Sequence, residues 1–379
     1  MSLPHTTSPQ ARPDIRPAGP ARPVGSPRPT RRILPGLASV ALAGLLIGFV
    51  LPRVAGVHWS QIWQVITRLS LWQAVLLAAV WLVGLIAYTF VMTGALPGLG
   101  HRQALTLNLA GSAVSNTMPF GGALGMALNL AMVRSWGFRD SSFALFTLVT
   151  GLWNVLAKLA LPTVALAILV ITGRVANHGL DVAAATSSAV LAAVLGCATA
   201  LLFVRRGTRG LGRLVPRVSA AGARVARGAR SRNWARQALA VRRAARDLLR
   251  RRWHRLTAGM ATYLALQALL LWLILHMLGS TLTPVQVLAG FSVGRALTSA
   301  AVTPGGVGVS EAGAAGVLVG LGGDPAITAA AVLLFSGYVF FLEIPVGALT
   351  GLAWAFRGSG PLRGYRRGGG VALPRARRT

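Results

Sequence analysis

Apolar residues run through this chain in long blocks, without the polar and apolar alternation of a half-buried strand or surface helix. Six blocks, at residues 33–51, 71–92, 143–171, 182–204, 256–278 and 326–356, are nearly free of charge. Each is long enough to cross about 30 Å of hydrocarbon as a helix, and the two longest fit only with tilt or a break. Two further blocks, 103–133 and 283–319, are apolar but interrupted near their middles by Pro and Gly. Proline removes a backbone donor and breaks a helix, and glycine permits the turn that follows. The pattern predicts an all-α, polytopic transmembrane bundle with six full spans and two broken helical hairpins.

Composition agrees. Of 379 residues, 54% are hydrophobic, and seven acids stand against 38 Lys and Arg, a net charge of +31. The bases gather in three places: residues 1–32, a central stretch at 205–255 and a tail at 357–379. Basic clusters beside apolar spans mark the cytoplasmic side of a membrane. They do not read as a nucleic-acid surface, because they lack interleaved aromatics. Residues 1–32, rich in Pro, Arg and Ser, have little to bury and are expected to be disordered. Block 33–51 is too long for a signal-peptide core and is expected to be a retained span. Within 234–249, Ala, Leu and Val partly separate from Arg in helical register, which fits either a helix in the headgroup region or a solvated basic linker. The lone Cys197 rules out an intramolecular disulfide.

Counting crossings fixes the sense of the broken blocks. With the N-terminus and the 205–255 linker both cytoplasmic, the segment 103–139, which holds the first broken block, starts and ends inside, either as a re-entrant hairpin or as two short crossings. Block 283–319 starts and ends outside. The chain therefore divides into a membrane half at 33–204 and a second at 256–356, each holding one hairpin, and the two hairpins enter from opposite faces. "NTMPFGGALG" (116–125) and "AVTPGGVGVS" (301–310) share a polar residue shortly before proline, a Gly-Gly pair just after it and small apolar residues on both sides. Paired broken segments of opposite sense are the mark of an inverted-repeat transporter, whose loose backbone lines a midplane site.

Charges at membrane depth point to the same place. Lys158, the only lysine, lies in block 143–171; Arg295 leads into the second hairpin; Glu311 follows its glycines; Glu343 lies in the last span. Each costs about 2.5 to 3.5 kcal/mol at a helix centre on the insertion scale, so each is expected to have a partner. The partners are either each other, as Glu311 with Arg295 or Glu343 with Lys158, or a substrate. In the second case Arg295 or Lys158 meets an anionic headgroup while Glu311 takes up a proton or exchanges partners. Asn116, just before the first break, is placed to bind exposed backbone or a ligand. Trp59, Trp63, Trp72, Trp81, Trp234, Trp253 and Trp354 fall mostly near span ends and are expected to be interfacial anchors. The six histidines are scattered and no metal-ligand spacing occurs, so no metal, cofactor or catalytic residue is assigned.

The string "TPGGVGVSE" (303–311), with "NTMPFGG" (116–122) and "VRSWG" (133–137), resembles the lysylphosphatidylglycerol synthase transmembrane region, a flippase-like family. The resemblance spans about residues 33–356. It implies a multi-span bacterial plasma-membrane protein that moves lipids or lipid-linked molecules between leaflets, with membrane lipids of anionic headgroup as its partners. It carries over Asn116, Pro119, Pro304, Gly305, Gly306 and Glu311. With the residues above it gives a candidate translocation set of Asn116, Pro119, Gly121, Gly122, Lys158, Arg295, Pro304, Gly305, Gly306, Glu311 and Glu343. Bifunctional relatives add a soluble aminoacyl-transfer domain, and only a basic, Gly-rich stretch follows the last span here, so no enzymatic activity is carried over. Where relatives place charge after the first glycine pair, residues 123–127 here are apolar. The alternative to a translocase is a non-transporting scaffold whose basic segments recruit anionic lipid or a cytoplasmic partner.

Overall fold

The computed structural model describes residues 45–117, 121–171, 234–298 and 306–356, which form helices and short connections. The expected tails, the span at 182–204, most of the span at 33–51, the linker up to residue 233, Cys197, Pro119, Pro304 and Gly305 lie outside the described residues.

A π-helical turn, Leu46–Val50, leads into α1 (Leu51–Ala55) and the short amphipathic α2 (Trp59–Ile66). Then come α3 (Leu71–Ala95), α4 (His101–Thr117), α5 (Gly121–Ser135) and α6 (Asp140–Ile171). The second half has α7 (Trp234–Met277), α8 (Pro284–Leu297), α9 (Val309–Gly320), α10 (Pro325–Ser336), a π turn (Gly337–Phe341) and α11 (Glu343–Phe356). Starts follow local sequence. The Ser70 hydroxyl accepts from Gln73 N while the Gln73 side chain accepts from Ser70 N, and Thr283 with Gln286 repeats half of that exchange ahead of Pro284. Asp324 caps α10 by accepting from Ile327 N at 2.9 Å.

Among the described residues, four stretches are long and apolar enough to span a membrane: Leu71–Ala95, Asp140–Ala165, Arg243–Met277 and Pro325–Phe356. They coincide with four of the six expected spans. The last is divided, because Pro345 cannot donate to the Phe341 carbonyl and crowds it, and the chain relieves this with the π turn just upstream. The basic stretch from Trp234 differs from expectation in another way: it is one continuous helix with the span that follows it. At 1.5 Å per residue α7 is roughly 66 Å long, well beyond the hydrocarbon thickness. Trp81 also departs from expectation, being buried in the core, whereas Trp59, Trp63 and Trp72 are exposed.

The spine is the antiparallel pair α3 and α7. Gly84 faces Leu266, Gly259 faces Val91 and Gly94 faces Leu256, so small residues let the two backbones approach. Helices α4 and α5 form an antiparallel hairpin, with Gly111 against Asn129 and Gly125 against Ser115. Helices α8 and α9 form a second, with Gly290 against Leu318 and Gly294 against Ala314.

Helix α6 measures the relation between them. Its first residue, Asp140, is ion-paired with Arg134 at the base of the first hairpin, at 2.7 Å. Its Ala165 packs with Ala289, Val285 and Leu321 at the base of the second. The 25 residues between put those bases roughly 37 Å apart, at opposite ends of the bundle. Among the described residues, a helix of each half lies along the other half's hairpin: α6 packs on α8, and α11 packs on α4. The end holding the first hairpin's base also holds Arg102, Arg134, Arg139 and the Arg250 to Arg255 segment of α7, which meets Gly94.

Candidate functional site

The second hairpin brings the first carboxylate to the centre. Gly306 and Gly308 have φ of 77° and 92°, a left-handed backbone that side chains resist, and they turn the chain directly into α9. Glu311 is then in the first turn of that helix and 2% exposed. Its Oε2 accepts from Gly308 N and from Ser310 Oγ at 2.8 Å, and its Oε1 accepts from Ser336 Oγ at the end of α10. A carboxylate at a helix N-terminus is well placed for the exposed N–H groups there and for the helix dipole. Glu311 therefore ties the turn of the second hairpin to the helix beside it.

Arg295 stands across from it on α8. A small cleft of about 30 Å³ is lined by Leu271, Phe291, Arg295, Ser310, Glu311 and Ser336 among others. The Arg295 Nε is buried there with no hydrogen-bond partner. Arg295 does not come within ion-pair distance of Glu311 or Glu343, and Glu343 does not pair with Lys158. Both expected ion pairs are thus corrected. Glu311 is held by neutral donors of its own turn and of α10, and among the described residues no carboxylate lies at ion-pair distance from Arg295.

Glu343, 6% exposed, opens α11 immediately after the π turn. The Ser112 hydroxyl of α4 addresses its carboxylate, and Arg295 acts on it electrostatically. Lys158 on α6 is half-buried, close enough to Arg295 for the like charges to act on one another, and has no ion-pair partner among the described residues. Tyr88 of α3 and Tyr263 of α7 complete the centre, their rings 4.9 Å apart and both within reach of the Arg295 charge. Asn154 Nδ2 donates to the Tyr88 hydroxyl at 3.1 Å, and Gln267 Nε2 to that of Tyr263 at 2.7 Å.

The first hairpin reaches the same region from the other end. Asn116 Nδ2 donates to the carbonyl of Phe340, inside the π turn, at 3.5 Å. Both hairpins therefore hold the divided last span: the first at Phe340, the second through Ser336.

Of the candidate set, Asn116, Lys158, Arg295, Glu311 and Glu343 converge on this centre, with Gly306 shaping the turn. Gly121 packs against the Ser115 backbone within its own hairpin, and Gly122 is exposed with open space beside it, so neither is brought to the cleft. Sequence reasoning did not find Ser112, Ser310, Ser336, Tyr88 or Tyr263. A phenol in the middle of an apolar span was a signal for the two tyrosines. Ser336 is joined to Glu311 only by the fold.

Comparison with known families and proteins gives one match and one blank. A family model described as the lysylphosphatidylglycerol synthase TM region matches residues 36–347. No curated protein matches the chain.

Proposed function

The chain belongs to the lysylphosphatidylglycerol synthase TM region family, and from that membership we propose a flippase-like translocase that moves a lipid, or lipid-linked molecule, with an anionic headgroup between leaflets. The observation that carries the reading is Arg295, whose Nε is buried without a hydrogen-bond partner among the described residues, in a cleft formed by the second hairpin with α7, α10 and the π turn. A guanidinium presents several fixed donors and binds phosphate in a two-pronged fashion. Lys158 adds a second positive charge nearby, and the low dielectric strengthens both. The headgroup occupies the centre while its acyl chains remain in the bilayer. The hairpins enter the membrane from opposite faces without crossing it, and each opens the centre to its own side in turn, as in other inverted-repeat carriers.

The residues at the first hairpin's end favour a cytoplasmic face there: Arg102, Arg134, Arg139 and the arginines of α7. On this reading the N- and C-termini are cytoplasmic, the membrane is the bacterial plasma membrane, and the membrane region carries out no bond-making chemistry.

The test is leaflet exchange of a fluorescent phosphatidylglycerol in vesicles of phosphatidylethanolamine and phosphatidylglycerol, read by quenching the outer leaflet with dithionite. Vesicles holding the protein are expected to lose the inner-leaflet signal quickly, and those holding Arg295→Gln to lose it no faster than empty vesicles. Equal rates for the wild type and Arg295→Gln, or no exchange by the wild type, contradict the proposal.

A further inference from the structure

Four ionisable side chains surround the centre: Arg295 and Glu311 line the cleft, and Lys158 and Glu343 lie near enough to Arg295 for their charges to act on one another, so with all four charged the centre is neutral. Placing a monoanion on Arg295 leaves one uncompensated negative charge in a low-dielectric interior, which is strongly unfavourable. Neutrality returns if one carboxylate takes a proton. Glu311 is poorly placed to do so. Both of its oxygens already accept hydrogen bonds, from Gly308 N, Ser310 Oγ and Ser336 Oγ, and a neutral carboxyl would accept these more weakly than a carboxylate does.

Glu343 is differently surrounded. Helix α4 and the π turn pack against its helix. From α4 the neighbouring group is the neutral Ser112. The π turn offers Tyr338, whose hydroxyl donates to the Ala74 carbonyl on α3. Beyond those elements, Arg295 on α8 is the cation acting on Glu343, and Tyr263 on α7 is the phenol coupled to it.

Resting on the anion-translocase reading above, we infer that Glu343 is the exchangeable counter-ion of Arg295: the substrate's phosphodiester takes over the guanidinium, and Glu343 accepts one proton from water as it is released. The reverse exchange on the far side returns the proton, so anion and proton travel together and the centre stays neutral throughout. Glu311 holds the second hairpin through its three donors. No bond other than the carboxyl O–H forms or breaks.

The test uses the purified full chain in detergent at about pH 8 and two probes that do not themselves titrate near neutrality, dihexanoylphosphatidylglycerol and dimethyl phosphate. Calorimetry in buffers of different ionisation enthalpy counts the protons taken up on binding. The expected result is about one proton per anion bound, so that affinity rises about tenfold for each unit the pH is lowered while Glu343 is still ionised at rest. Glu343→Gln is expected to bind the probe with no proton uptake and no such pH dependence. Binding of the lipid but not of dimethyl phosphate identifies a lipid site; equal binding of both makes a free phosphodiester sufficient. Anion binding by the wild type without proton uptake overturns the inference and leaves the anion site standing. No binding of either probe overturns both. The wild-type measurement decides the matter even if Glu343→Gln does not fold.

Discussion

Glu311 and Glu343, the only glutamates in the chain, are both buried and do different things because their neighbours differ. Glu311 accepts from one backbone and two hydroxyl donors. Replacing it with Gln turns an amide NH2 toward groups that themselves donate. That is expected to cost about 1–3 kcal/mol, seen as a lower unfolding temperature in detergent, and Ser336→Ala, which removes one donor of three, about 1 kcal/mol. Arg295→Gln breaks no ion pair among the described residues but removes the cation that acts on Glu343, and is expected to lower the unfolding temperature less than Glu311→Gln does. A Glu311→Gln protein that unfolds at the wild-type temperature would contradict the structural role given to this side chain. The sequence shows that Glu311, Arg295, Lys158 and Glu343 need relief at membrane depth. It does not show who relieves whom, because Ser336 and Ser112 reach the carboxylates from helices remote along the chain, and Arg295 has no carboxylate at ion-pair distance.

At the scale of elements, α6 and the last span share a device. Pro162 lies one turn after Lys158 in α6 and cannot donate to the Lys158 carbonyl; Pro345 follows Glu343 by two residues and cannot donate to that of Phe341. Each of these spans thus places a charge beside a weakened turn, and in the last span the weakness becomes a full π turn held by Asn116. Close packing sets how α11 meets the first hairpin. A side chain at Gly347 would run into the Leu109 carbonyl, so Gly347→Val is expected to destabilise the protein by about 1–3 kcal/mol. Gly151→Ala, where a Cβ meets open space within α6, is expected to be neutral or stabilising, and unchanged melting of Gly347→Val would count against the packing described. Four spans were legible from uninterrupted apolar length. The division of the last was legible only as excess length, since proline tells that a helix is disturbed but not that it widens into a π turn. The eight residues of α2 are too few to stand out in a window made for spans, and the run of arginines hid the continuity of α7.

For the whole molecule, counting crossings from the basic segments leads to hairpins of opposite sense, and the structure sets the two hairpin bases at opposite ends of the bundle; which end faces the cytoplasm belongs to the proposal. The reciprocal lending of α6 and α11 was not legible in the sequence, since it depends on contacts between halves more than a hundred residues apart. That arrangement makes each hairpin rest on a helix belonging to the other half, which is where the proposed alternation would couple the two hairpins. The central claim is that the Arg295 centre communicates with water on both sides by such alternation. The most direct measurement places a single cysteine at Ser310, beside Glu311, in a Cys197→Ala background, reconstitutes the protein and applies a membrane-impermeant thiol reagent from one face at a time. The expected result is slow modification from either face, slowed further by dihexanoylphosphatidylglycerol. Modification from one face alone, or from neither in folded protein, would contradict it.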